Sequence, residues 1–186
     1  NATTDGRNGK TISYNLLNLP QTVSGGLSYT YTAAGQKLRK NSNAQIRDYV
    51  GGIEYNGTTI DFIQTEEGIA RNNGSSFSYE YNLTDHLGNV RATIYRNPVT
   101  VSLEVLQRDD YYAFGKRKTV QGGTNKYLYN GKELQEELGQ LDYGARFYDP
   151  VIGRFNTIDR FAEKYYGLTT YQYGANNPIK NIDVNG

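Results

Sequence analysis

The sequence predicts an all-β protein, an irregular spiral of β-hairpins that carries one or two short helices. The main observation is a repeated tyrosine pair, Tyr-x-Tyr, whose successive copies are 50, 48 and 44 residues apart. Tyrosines at positions i and i+2 lie on one face of a strand. A glycine follows these or similar aromatic residues, and glycine readily adopts the positive φ of a hairpin turn. The pairs are Tyr29/Tyr31, Tyr79/Tyr81, Tyr127/Tyr129 and Tyr171/Tyr173.

Three segments alternate between apolar and polar residues and are predicted as half-buried strands. They are Leu27–Tyr31, Phe77–Tyr81 and Val99–Val105. Clusters of glycine and asparagine separate such segments along the chain and predict loops. The pattern therefore favours strands joined by tight turns over most of the length.

Two segments predict short helices. In Lys132–Gly139 the residues Leu134 and Leu138 are four apart, one helical turn, and a glycine ends the segment. In Asp159–Gly167 an aspartate begins the segment, apolar residues recur inside it, and a glycine again ends it.

Composition excludes several classes of protein. The 186 residues carry 20 Lys+Arg and 19 Asp+Glu, so the net charge of +1 argues against nucleic acid or an anionic membrane as the partner. There is no cysteine, which excludes disulfides and thiolate chemistry, and the single histidine, His86, is a poor basis for a metal site. We therefore expect no cofactor and no metal.

No stretch approaches the roughly 18–20 apolar residues of a membrane span. The first residues contain neither an initiator methionine nor the basic and apolar regions of a signal peptide. We expect the chain to be part of a longer protein.

The last third of the chain carries the most distinctive motifs. They are Tyr143-Gly-Ala-Arg-Phe-Tyr-Asp-Pro150, Gly153-Arg-Phe155, Asn176-Asn-Pro178 and the closing Asp183-Val-Asn-Gly186. Together they resemble the Rhs repeat-associated core domain of Rhs/YD-repeat proteins, in a form similar to that of the Bacteroidetes. The resemblance is specific over 79–186, whereas 1–78 resemble degenerate YD repeats. We therefore expect two regions, with a boundary near residue 78, that form one continuous structural unit.

The resemblance implies a segment of a hollow β-sheet shell, with the core domain closing its C-terminal end. It implies as partners an upstream YD-repeat shell, a downstream effector or toxin of the same polypeptide, and an immunity protein for that effector. It also implies delivery to the outside or the cell surface, and a core that cuts the chain just after itself in a single-turnover, aspartic-peptidase-like reaction. Shell proteins without toxins exist, so the fold alone does not imply a toxin.

Two carboxylates are needed for such a cut, one ionised to activate water and one protonated to polarise the carbonyl. In the family two Asp-Pro-x-Gly motifs supply them, and the matching positions here are Asp159 and Asp183, which are 24 residues apart. The first motif lacks both Pro and Gly, and the second keeps only Gly186. The sequence thus leaves open a remnant core whose cutting has decayed.

Arg154 and Arg160 flank the first aspartate, and either could hold a carboxylate ionised or bind the carbonyl oxygen. Helix capping and Asx-turns are competing structural explanations for the aspartates, and for Asp149 the turn is the preferred one. Asn185-Gly186 offers a further route to chain breakage through a succinimide. A different class of function also stays open, a non-catalytic surface module that binds glycans or proteins through exposed Tyr and Asn.

Overall fold

A computed structural model describes residues 1–186 and is built almost entirely from antiparallel strands. The large sheet has thirteen strands, β1 to β13, and each pairs with the next along the chain. Its strands are Thr4–Asp5, Lys10–Tyr14, Pro20–Val23, Leu27–Tyr31, Lys37–Ser42, Gln45–Val50, Ile53–Asn56, Thr59–Thr65, Gly68–Asn72, Phe77–Thr84, Val90–Arg96, Leu103–Tyr111 and Arg117–Gln121. The predicted all-β hairpin fold is confirmed.

The small sheet has four strands, which also follow chain order: β14 (Glu133–Gln135), β15 (Gln140–Asp142), β16 (Phe147–Asp149) and β17 (Arg154–Phe155). Three 3-10 turns, Tyr129–Gly131, Ala162–Lys164 and Gly174–Asn176, are the helical segments of the chain. None of the helical segments is long and apolar enough to cross a membrane.

The predicted helix at Lys132–Gly139 is wrong, because this segment forms the β14–β15 hairpin. The side chains of Glu133 and Gln135 are both buried, and they project from the same face of β14. Glu133 pairs with Lys37 of β5, and Tyr29 of β4 donates a hydrogen bond to Gln135. Both contacts form only when Glu133 and Gln135, two residues apart, lie on the same face, as they do in a strand. The contacts with the large sheet therefore outweigh the local helical pattern.

The predicted helix at Asp159–Gly167 is reduced to the single 3-10 turn at Ala162–Lys164. Asp159 begins the segment, as predicted, and its Oδ1 accepts a hydrogen bond from the backbone N–H of Phe161. Phe161, Tyr165 and Tyr166 are exposed, so no apolar face holds a longer helix against the core.

Two of the three predicted strands are confirmed, at Leu27–Tyr31 and Phe77–Thr84. The third begins only at Leu103, because Asn97 folds the preceding residues into a turn. Its side chain accepts hydrogen bonds from the N–H groups of Val99 and Thr100. The aromatic face of β10 also faces outward: Phe77, Tyr79 and Tyr81 are exposed while Glu80 is buried.

The large sheet curves around the C-terminal third of the chain. Strands β4 and β12 would lie about 38 Å apart in a flat sheet, eight strand spacings. One core cluster nevertheless joins β2–β4 to Leu138 and Phe147 of the C-terminal third. A second cluster joins Tyr111 and Phe114 to other residues of the same third. The second cluster otherwise consists of Tyr129, Leu134, Leu141, Tyr143, Tyr148, Phe155 and Tyr173.

Buried ion pairs add to these apolar contacts. The ammonium group of Lys37 contacts Glu133 at 2.5 Å and Asp142 at 2.6 Å, and Lys40 contacts Glu137 at 2.7 Å. The small sheet is thus held by charged as well as apolar contacts on one face of the large sheet. The large sheet continues through residue 78 without a break, and a boundary there stays a prediction.

Candidate functional site

The two aspartates singled out by the sequence lie on either side of one buried arginine. Nη2 of Arg146 is 2.9 Å from Oδ2 of Asp159 and 3.6 Å from Oδ2 of Asp183. A single nitrogen therefore brings the two carboxylates together, although they are 24 residues apart in the chain. Their side chains are 20% and 24% exposed, whereas that of Arg146 is 4% exposed, so the carboxylates face solvent and the arginine lies behind them.

Asp159 follows the last strand of the small sheet and is fixed through its backbone and its side chain. Its N–H donates to the carbonyl of Thr170, and Oδ1 accepts from the N–H of Phe161 at 2.7 Å. The Asx-turn occupies Oδ1 and leaves Oδ2 for Arg146.

Asp183 is held in a similar way by the residues that follow it. Its Oδ1 accepts hydrogen bonds from the N–H of Asn185 at 3.2 Å and of Gly186 at 2.7 Å. The carbonyl of Asn185 accepts from the N–H of Ala145, and that of Val184 accepts from Lys132. The segment after Asp183 is therefore tied to the loop that carries Arg146.

Arg146 lies between β15 and β16, and its guanidinium stacks on the ring of Phe155 at 3.8 Å. Nη1 donates to the carbonyl of Thr170, while Nε has no hydrogen-bond partner. Burial lowers the pKa of this guanidinium below its ordinary value, and the charges of Asp159 and Asp183 offset part of that effect. Because the ordinary value for arginine is so high, the group stays positively charged at neutral pH.

An open cavity of about 720 Å³ adjoins this cluster. Asp159 and Arg146 lie in its wall, and so does Gly186. A Cβ on Gly186 would come within 2.9 Å of the backbone nitrogen of Arg146, so the glycine allows the chain to approach this loop closely. Its other lining residues are Asn1, Leu16–Leu19, Tyr31, Ala34–Lys37, Asp142–Ala145, Thr157, Ile158, Arg160 and Asn185.

The two flanking arginines, Arg154 and Arg160, have other partners than the aspartates. Arg154 donates to the carbonyl of Gly153 and to the side chain of Asn176. Arg160 is exposed at the cavity wall, where its guanidinium lies 5.1 Å from the ring centre of Phe161. Neither arginine forms an ion pair with Asp159 or Asp183, and the arginine that does is Arg146.

Arg146 is not among the candidates predicted from the sequence, although the residue is part of the Tyr-Gly-Ala-Arg-Phe-Tyr motif that carries the family resemblance. Arg146 precedes Asp159 by 13 residues, so proximity in sequence favours Arg154 and Arg160 instead. The useful signal was an arginine between small and aromatic residues, since a buried guanidinium commonly stacks on an aromatic ring.

Asp149 has a structural environment. Its carboxylate forms a two-pronged contact with Arg7, at 3.1 and 2.9 Å, and accepts the N–H of Val151. This is the Asx-turn expected from the sequence, with the addition that it ties the first hairpin to the small sheet.

His86 lies in a turn with Nε2 3.4 Å from the carbonyl of Ile179, and no group of three or more His, Asp or Glu side chains in the chain is placed to hold a metal ion.

Comparison with known proteins places this geometry in context. No protein-family model matches the chain. It is 34% identical over 123 residues to salivary gland surface protein 1 of Aedes aegypti, covering 64% of this chain and 3% of that protein. It is also 31% identical over 88 residues to toxin subunit YenC2 of Yersinia entomophaga, covering 44% of this chain and 9% of that protein.

Among solved structures, the crystal structure of TcdB2-TccC3-Cdc42 has the same fold over 96% of this chain, with a TM-score of 0.78 and 20% sequence identity. The match occupies 10% of that chain. This chain thus spans less than a tenth of the curated relatives named above and about a tenth of the matching structure. At this level of identity the likeness shows the fold.

Proposed function

We propose that this chain is the core of a YD-repeat shell that encloses a C-terminal effector and cuts the polypeptide just after itself. The observation that carries the proposal is the meeting of Asp159 and Asp183 at Arg146, beside a cavity whose wall includes Gly186. A peptide bond placed just past Gly186 would start from the cavity wall that contains Asp159, and the N–H of Gly186 already bonds Oδ1 of Asp183 at 2.7 Å. Similarity to a toxin subunit and to TcdB2-TccC3 supports the shell and effector parts of the proposal.

In this reaction one aspartate is ionised and the other is protonated. The ionised carboxylate takes a proton from water while the water oxygen bonds to the carbonyl carbon. The protonated carboxyl donates its proton to the substrate, and the C–N bond breaks with the nitrogen leaving as an amine. The products are a new carboxylate at the end of the core and a new amino terminus on the effector.

Arg146 supplies the charge asymmetry that this division of roles needs. Its Nη2 donates a hydrogen bond to Oδ2 of Asp159 at 2.9 Å and lies 3.6 Å from Oδ2 of Asp183, so the positive charge sits closer to Asp159. We therefore assign the base to Asp159 and the proton donor to Asp183. The arginine acts by positioning and by charge, and takes no part in proton transfer.

The test is the intact mass of the natural chain continued past Gly186, compared with Asp159→Asn and Asp183→Asn variants. The proposal predicts that the parent yields two fragments, divided just past Gly186, and that both variants yield one uncut chain. If all three proteins stay whole, the core is a structural plug whose cutting has been lost, as the missing motif prolines allow.

An Asn185→Gln variant separates this reaction from spontaneous breakage through a succinimide, which needs asparagine before glycine. Cleavage that persists in Asn185→Gln and disappears in Asp159→Asn supports the aspartate mechanism. Cleavage that disappears in Asn185→Gln alone contradicts it.

The outward face of β10 favours a second candidate function, a non-catalytic surface module. Phe77, Tyr79 and Tyr81 lie side by side with exposures of 45%, 58% and 43%. They line a groove of about 480 Å³ together with Asn73, Asn97 and Arg96, and aromatic rings beside amide groups suit a sugar. Similarity to a salivary gland surface protein points the same way. Saturable glycan binding that Tyr79→Ala abolishes and Tyr166→Ala leaves intact would support this function.

A further inference from the structure

One wall of the cavity comes from the opposite end of the chain. The turn between β2 and β3, residues 15–19, contributes Leu16, Leu17 and Leu19 to it. Leu19 is buried, whereas Leu16 is fully exposed at 103% and Leu17 is 46% exposed. Leu16 and Leu17 therefore place two neighbouring exposed apolar side chains at the edge of this cavity.

The turn is built to hold these leucines in place. The side chain of Asn15 accepts hydrogen bonds from the N–H groups of Leu17 and Leu19, at 2.9 and 3.0 Å. The backbone N–H of Asn15 donates to the carbonyl of Leu19, and Asn18 adopts a positive φ of 59°. Leu16 therefore stays exposed because the loop is fixed in this shape by its own hydrogen bonds.

The path of the chain end leads into the same cavity. Ala145 donates to the carbonyl of Asn185, and the N–H of Gly186 donates to Asp183. Gly186 lies in the cavity wall. In a protein that continues past Gly186, the next residues start from this wall, and the cavity has room for a few side chains.

The lining offers these residues an apolar surface. Ile158, 49% exposed, and Tyr31 lie in the wall together with the two leucines. Lys37 and Asp142 in the same wall neutralise each other at 2.6 Å, so neither charge is free to bind a charged side chain. An apolar segment would cover Leu16 and Leu17 and remove their surface from water.

We propose that Leu16 and Leu17 form a binding site for apolar side chains in the first residues after Gly186, which gives the cut its sequence preference. The proposal rests on the proposed function, because the bound segment is the one that is cut. The β2–β3 hairpin thereby takes part in a reaction at the C-terminal end of the core. A specificity role for this turn also explains why Leu16 and Leu17, unlike Leu19, are not packed into the core.

The lack of cysteine allows a test that does not depend on cleavage. In the Asp159→Asn protein continued past Gly186, a cysteine is placed two residues after Gly186 and combined with Leu16→Cys. A second protein carries Leu83→Cys instead, because Leu83 is also exposed, at 51%, and does not line the cavity. After mild oxidation, we expect an internal disulfide in most Leu16→Cys molecules and in fewer than about a tenth of Leu83→Cys molecules, since a disulfide needs closely placed Cα atoms.

Equal disulfide formation in the two proteins, or none in either, would overturn the proposal. A disulfide between two copies would also overturn it, because the leucines would then contact a second molecule. Circular dichroism of the Leu16→Cys protein should match the parent, since the side chain is exposed.

Cleavage provides the second measurement. With Leu-Leu after Gly186 we expect about tenfold faster cutting than with Asp-Asp, and less than about a twofold difference once Leu16→Asn and Leu17→Asn are introduced. An unchanged preference contradicts the role of the turn while leaving the aspartate mechanism in place. A selective disulfide in the Asp159→Asn protein, together with no cleavage of the parent chain, would overturn the proposed function and keep the binding site.

Discussion

A buried guanidinium between two partly exposed carboxylates is the residue-scale feature on which the proposed chemistry depends. Arg146 is 3% exposed, and burying a charge is costly unless it is paired. Asp159, Asp183 and the carbonyl of Thr170 supply the partners. Removing the guanidinium would leave two neighbouring carboxylates without the charge between them.

We predict that Arg146→Met lowers the free energy of unfolding by about 1–3 kcal/mol, a figure kept modest because both carboxylates are partly solvated. The same change should abolish cleavage of the chain continued past Gly186. Arg160→Met is the matched control, since Arg160 is exposed beside the same cavity, and its effect should stay within about 0.5 kcal/mol. Urea denaturation measures the free energy of unfolding of both variants, and equal losses would contradict the role given to Arg146.

The two aspartates could be named from the sequence, because their positions follow from motif matching. Their arginine could not be chosen from flanking residues, because its contacts depend on the loop between β15 and β16. Arg154 and Arg160 are nearer to Asp159 in the chain, yet one bonds Asn176 and the other stacks on Phe161.

At the scale of elements, the turns and the β14–β15 hairpin decide how the sheets fit together. Strands and turns were predictable over most of the chain, because alternation and glycine placement are local signals. The local pattern of this hairpin predicts a helix, because Leu134 and Leu138 are one helical turn apart. The contacts that decide its structure come from Lys37 and Tyr29, roughly a hundred residues away, and no local pattern contains them.

Substitution of Gly115, in the β12–β13 turn, tests how closely that turn packs against Tyr129. Gly115 has φ +83°, and a Cβ there would meet the ring of Tyr129 at 2.5 Å. Gly74 has φ +90°, with nothing within 4 Å of its Cβ position. We predict a loss of about 2–4 kcal/mol for Gly115→Ala and about 1 kcal/mol for Gly74→Ala, since strain affects both and overlap only the first.

Equal losses in the two alanine variants, measured by chemical denaturation, would mean that the turn is not packed against Tyr129. Backbone strain alone would then account for both values.

Leu138 tests the docking of the β14–β15 hairpin on β2–β4. Its side chain is fully buried in the first core cluster. We predict that Leu138→Ala costs about 2–5 kcal/mol, because a buried cavity is created. Leu168→Ala, at a side chain that is 37% exposed, should cost less than about 1 kcal/mol. A thermal shift of similar size in both variants would argue against this packing.

At the scale of the whole molecule, the large sheet packs against the small sheet, and part of the contact is made by ion pairs. The ammonium of Lys37 lies between Glu133 and Asp142, and the hydroxyl of Tyr49 donates to Glu133. Burial raises the pKa of Glu133, but the charge and hydrogen bond of Lys37 outweigh it and hold the pKa below the ordinary 4.5. Glu137 is shifted in the same direction, with Lys40 outweighing its burial.

A carboxylate whose pKa is lowered by folding stabilises the fold above its unfolded value and loses that contribution as the pH falls through the folded value. We therefore predict that stability declines as the pH falls below about 4.5, and that Glu133→Gln flattens this decline while lowering stability at pH 7. Glu54 opposes the trend in part, because burial raises its pKa and its protonation favours the folded state.

Glu136→Gln is the control for this prediction, since Glu136 is 61% exposed and its contact with Lys126 is 3.4 Å long. Urea midpoints between pH 3 and pH 7 should fall alike in Glu136→Gln and the parent. An unchanged acid decline in Glu133→Gln would place the acid-sensitive contacts elsewhere in the molecule.

The proposed function requires the core to cut its own chain and to retain the fragment that it cuts off. The most direct measurement compares native and denaturing mass spectra of the natural full-length protein with those of its Asp159→Asn variant. We predict that the parent gives one assembly under native conditions and two fragments, divided just past Gly186, after denaturation, while the variant gives one chain in both. An intact parent chain after denaturation, or cleavage that survives Asp159→Asn, would contradict the claim.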